Sequence, residues 1–258
     1  EFCIEYLDFS KSMKFIKYNP PEVAQTDYIN AAIYFLRKSI ECLQFARFFT
    51  MKSNLLLDIN YNIRWNQGYI PQFFIRCIYF GTAATWYSNA FDHILQVVYW
   101  GQELYTSFSD RDGNPYDKKW NEKKTMTYCT YEFVVGELKE RGLKDLRKVL
   151  TSCSSKIEQV RMWANYIKHK GGVDYKYLKA ERPYELCLEV VHEDGSSEFK
   201  NVIEDFKSPI EIDIDDEIHE LVEVHTAIYE CIQKVIANMN FEQHALKLGG
   251  TPNEQTKI

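Results

Sequence analysis

Cysteines at metal-binding or redox spacing are missing from this chain. Its seven, Cys3, Cys42, Cys77, Cys129, Cys153, Cys187 and Cys231, stand singly, with no C-x-x-C among them. Single spacing and an odd count argue against a disulfide framework or a zinc site and fit a reducing cytoplasm. Long apolar runs are also absent: the nearest, 73–100, is interrupted by Arg76, Asn89, Asp92 and His93, so no spanning helix and no membrane partner are expected. The chain opens at Glu1 with no signal-peptide pattern. No H-E-x-x-H, phosphate-binding glycine loop, Rossmann fingerprint or nucleophile elbow occurs, which removes the commonest zinc-hydrolase, nucleotide and serine-hydrolase signatures. Neither a cofactor nor a metal is expected. Internal repeats and low-complexity segments are lacking too.

What is present is ordinary in bulk and uneven in distribution. The 258 residues are 45% apolar and 26% charged, as in a globular protein, with aromatics high at 15%. The net charge of −6 hides a split. Residues 118–170 hold 13 Lys/Arg against 6 Asp/Glu, and residues 171–230 hold 5 against 17. This segregation either leaves a basic region open to an anion or lets the two regions neutralise one another across an interface.

Periodicity predicts a mainly α fold, a bundle of about four principal helices with a small antiparallel β insertion, in a single domain over 1–258. The segments FCIEYLDF and MKFIKY within 1–19 read as edge strands. Helices are expected at 22–49, with Ile29, Ile33, Leu36, Ile40 and Leu43 inward, and from Pro71 to 105, with a bend near Gly81. A third helical region spans 125–139 and leads through Gly142 and 143–150 into 157–172. The last helix runs from the acidic cap at Asp213, Asp215 and Asp216 to about Lys247. The bundle thus comprises 22–172 and 213–248. Between them, 173–212 is expected to hold a hairpin of 184–191 and 198–203 turning at Asp194-Gly195, with 209–214 as a third strand.

The stretch IEQVRMWANYIKHKGG at 157–172 carries most of the chemistry. Ile157, Val160, Ala164 and Ile167 make an apolar stripe. Arg161, Asn165 and His169, four apart, line its edge. Lys168, His169 and Lys170 suit the negative end of a helix, and Gly171-Gly172 suits its stop. The helix beginning at Pro71 is apolar around most of its surface, yet Thr82, Thr85, Asn89, Asp92, His93 and Gln96 fall within one arc. Such an arc is either a narrow solvent face or the counterpart of Arg161, Asn165 and His169, with Asp92 facing the guanidinium.

The Asn165-x-x-x-His169 spacing resembles the motif of the HEPN superfamily, all-helical bundles that include many prokaryotic ribonucleases of defence and toxin–antitoxin systems. In that family an Arg precedes the Asn; here Ala164 stands there and the nearest Arg is Arg161. The resemblance implies a homodimer acting on RNA without a metal. In it His169 is the acid–base group, Arg161 the cation for the phosphorane and Asn165 their neighbour, with Asp92, Asn89 and His93 in support. Its alternatives are a catalytically silent HEPN-like module for dimerisation, partner or nucleic-acid binding, and an enzyme on free nucleotides.

Overall fold

The computed structural model describes residues 9, 11–54, 69–107, 129–169, 173–176, 187–201 and 210–246. They form a mainly α fold of six helices with a few short strands: α1 (Asp27–Asn54), α2 (Tyr69–Gly101), α3 (Tyr131–Glu140), α4 (Lys144–Lys156), α5 (Glu158–His169), β1 (Asp174–Tyr175), β2 (Cys187–Val191), β3 (Ser197–Asn201), β4 (Glu211–Ile212) and α6 (Ile214–Met239). Short 3₁₀ turns follow α2, at Leu104–Ser107, and α6, at Phe241–His244. Among the described residues no helix is long and apolar enough to cross a membrane.

α2 is the centre of the bundle. It is apolar on nearly every face, and a helix of that kind is stable only when covered on several sides. α1, α3, α5 and α6 all pack on it. α1 runs antiparallel beside it, as Phe35 on His93, Phe45 on Trp86 and Phe49 on Tyr79 record in turn. α2 runs unbroken through Gly81. That glycine instead allows a close approach, since a Cβ there would meet the Tyr175 hydroxyl at 3.0 Å and Ile167 Cδ1 at 3.2 Å.

Local signals explain most helix ends. Thr130 caps α3 by accepting from the Phe133 N–H. Gly142, at φ +71°, closes α3 with paired bonds from Gly142 N to Lys139 O and Leu143 N to Leu138 O, the left-handed stop that glycine adopts without strain. α4 and α5 are separated only at Ile157, so the expected helical region is three short helices rather than one or two. Asp213 caps α6, accepting from Asp215 N. Asn240, at φ +46°, ends it, earlier than the expected Lys247.

The β elements need correction. The hairpin of β2 and β3 is antiparallel, with Val191 opposite Ser197 and Gly195 at φ +82° in the turn, as expected. The expected third strand does not join it. β4 pairs in parallel with β1, Asp174 opposite Glu211 and Tyr175 opposite Ile212. Residues 11–19 form no strand, and 1–8 lie outside the described residues. The backbone of MKFIKY is held by side chains instead: Arg47 Nε donates to Met13 O (2.7 Å) and His225 Nε2 meets Lys14 O (2.9 Å). α1 begins at Asp27, not Glu22. Ahead of it Ala24 is clamped by Asn30 and bridges Ala245, tying the segment before α1 to the one after α6.

Candidate functional site

Val160, Trp163 and Ala164 anchor α5 on the bundle, all nearly inaccessible, with Trp163 against Phe80 at 5.3 Å between ring centres. With that face fixed, the polar edge is set by helical geometry. Arg161 Nη2 reaches Asp92 Oδ1 at 3.3 Å, and its guanidinium lies 5.1 Å over the Phe91 ring. Seven residues on, two turns along the same face, Lys168 Nζ donates to Asn89 Oδ1 at 2.6 Å. The polar arc of α2 therefore does meet α5, through Arg161 and Lys168. It is a surface pairing and not a buried network, because the Asp92 side chain keeps 51% of its exposure.

Electrostatics follow from this partial cover. Desolvation pushes the Asp92 carboxyl above its ordinary range, with Arg161, Lys168 and His93 pulling it back down. Desolvation lowers the Lys168 ammonium, opposed by Asp92. It also lowers His93, whose ring stacks on Phe35 at 5.8 Å and so faces α1 rather than α5.

Beside this pairing lies an open groove of about 690 Å³ between the starts of α3 and α5 and the end of α4. Arg161 and Asn165 line it, together with Tyr131, Tyr166, Met162, Thr151, Ser154, Ser155, Glu132 and Glu158. Two phenols offer stacking surfaces, three hydroxyls and an amide offer hydrogen bonds, and one guanidinium faces two carboxylates. His169 does not line this groove. It is exposed at the end of α5, about 12 Å along the axis from Arg161 at 1.5 Å per residue. Lys170, Gly171 and Gly172 lie outside the described residues. The structure thus pairs Arg161 with Asp92 and Lys168, rather than Asn165 or His169, with Asn89; Asn165 shares the groove with Arg161, His169 does not, and His93 stacks on α1.

Tyr131, Tyr166 and the α4 hydroxyls were not legible as site residues, since they become neighbours only where α3, α4 and α5 converge. Lys168 is expected only as a helix-end cation; the signal for its site role is its spacing, seven residues beyond Arg161 and so on the same face. Among the described residues no three His, Cys, Asp or Glu side chains converge as a metal site. Comparisons of the chain with protein-family models, curated proteins and solved structures find no match.

Proposed function

We propose that the chain is a HEPN-like module that binds single-stranded RNA in the α3–α4–α5 groove without cleaving it. The observation that carries this is the position of Arg161, held by Asp92 inside its own chain and a long way from His169. A phosphoryl-transfer site needs its cation and its acid–base group about one phosphate apart. The groove offers binding chemistry instead. Tyr131 and Tyr166 are suited to stacking bases, and Ser154, Ser155 and Asn165 are suited to sugar and phosphate oxygens. The cleaving alternative requires a second copy to carry its His169 to Arg161.

A homodimer is part of the proposal. Phe45, Phe48, Phe74 and Ile78 are 42–50% exposed on α1 and the start of α2, an apolar surface suited to a partner. A reducing cytoplasm is the proposed compartment, in keeping with five free thiols among the described residues.

Because Glu132 and Glu158 share the groove with Arg161, stacking is expected to outweigh phosphate charge. Fluorescence anisotropy with a short oligouridine tests this. Tyr166→Ala is expected to weaken binding about tenfold, a stacked base contributing about 1–3 kcal/mol. Arg161→Ala should weaken it less, and His169→Ala should leave it unchanged. The salt slope should be shallow, about one or two released counterions. Cleavage by wild-type protein that is abolished in His169→Ala would establish the ribonuclease instead. Failure of the wild type to bind any RNA would leave the dimerisation or partner-binding module.

A further inference from the structure

On the far side of α4 from the RNA groove, a separate cavity of about 290 Å³ opens between α4 and α6. Two cysteines line it, Cys153 from α4 and Cys231 from α6, which are 4% and 3% exposed. Cys153 Sγ donates to Ala227 O at 3.7 Å, one helical turn before Cys231. The Cys153 thiol is also close enough to act on the ionisation of Cys231. Both are reduced in this structure. Cys42, Cys77 and Cys129 differ: no second thiol is among the groups that act on them.

We propose that Cys153 and Cys231 are a dithiol modification site, which a hydroperoxide converts to a disulfide joining α4 to α6. One thiol, as its thiolate, attacks the peroxide oxygen, breaking the O–O bond; the alkoxide or hydroxide released takes a proton and leaves as alcohol or water. The second thiolate then displaces hydroxide from the sulfenic sulfur, and that hydroxide leaves as water. Two thiols lose two electrons and two protons in all, and the peroxide takes up both.

The surroundings favour the pair over a lone reactive cysteine. Lys148, Lys156 and Lys234 border the same cavity with Asp145 and Glu230; Glu230 pairs with Lys234 at 3.7 Å, and the positive surplus that the lysines leave stabilises the thiolate that attack requires. The neighbouring Cys153 thiol and burial push Cys231 well above the ordinary thiol range, with Lys234 pulling the other way. The reduced pair is therefore quiet toward weak oxidants. The resolving thiol lines the same cavity, so a sulfenic acid formed on one sulfur is captured before further oxidation. The disulfide would close the loop from 153 to 231 and restrain the unfolded chain.

The test is intact-protein mass spectrometry of the full chain after brief exposure to millimolar hydrogen peroxide, followed by non-reducing peptide mapping. The expected result is a mass loss of about 2 Da with no added oxygen, a peptide joining Cys153 to Cys231, reversal by dithiothreitol, and a rise of several degrees in melting temperature. Cys153→Ala and Cys231→Ala should each abolish the loss. Peptide mapping of wild-type protein decides the matter even if a variant folds poorly. Recovery of both thiols in alkylatable form, a gain of about 32 Da at either one, or bridges to other cysteines would overturn the proposal.

Discussion

Replacing Trp163 by alanine is expected to destabilise the protein by about 3–5 kcal/mol, the usual range for removing a buried tryptophan. The ring is 1% exposed and packs on Phe80 of the central helix. It is the largest side chain holding α5 on α2, and its loss would leave a cavity the rigid helix pair cannot close. For a chain of this size the melting temperature should fall by about 10 °C. Met162, the preceding residue, is 37% exposed, so Met162→Ala should change stability by less than about 0.5 kcal/mol. The pair of variants checks the rotation of α5, and with it the direction in which Arg161 and Asn165 point. Equal effects from the two would mean that α5 is turned differently.

Acidification should weaken the fold through His225. This side chain is 1% exposed on α6. Its Nε2 meets Lys14 O at 2.9 Å, so the neutral ring carries its proton there, and Nδ1 is left to accept from the Tyr87 hydroxyl at 3.4 Å. Burial drops its pKa from 6.5 to about 4, with the Lys14 carbonyl opposing and Arg47 assisting. Between those values the unfolded chain binds a proton that the native chain refuses. Stability is therefore full above about pH 6.5 and is lost as pH falls, by about 3 kcal/mol once pH 4 is reached. Urea melts of wild-type protein and His225→Gln at pH 7 and pH 4.5 should show most of that loss only in the wild type. Identical losses in both would place the acid sensitivity elsewhere.

His225 also shows where sequence reading stops. Nothing near it in the sequence singles it out, because its partners, Lys14 and Tyr87, are remote in sequence. The same long-range bonds explain why MKFIKY is not a strand: Arg47 and His225 take carbonyls that a β ladder would have used. Signals confined to a few residues were legible. The Asp213 cap, the Asp194-Gly195 turn and the Gly142 stop each depend on local backbone geometry that their residue types dictate. The contact between α2 and α5 was legible too, since polar residues on an otherwise apolar helix need a reason, and Arg161 and Lys168 supply it. Trp163 lies about 60° from Val160 and about 40° from Ile167 around the helix, on the border of that stripe, and belonged with it. The length of the helix from Pro71 suggests a bend near Gly81; the close approach of Tyr175 and Ile167 that this glycine permits depends on residues remote in sequence and left no local signal. The two-residue pairing of β1 with β4 is too short to leave a pattern.

The proposal that the α3–α4–α5 groove binds RNA is tested most directly by photocross-linking a 4-thiouridine-containing single strand to the full chain and sequencing the linked peptides. Binding in the groove predicts cross-links on Tyr131 and Tyr166, with the recovered RNA intact and His169 unmodified. Cross-links confined to other surfaces, or RNA recovered with cyclic phosphate ends, would contradict it.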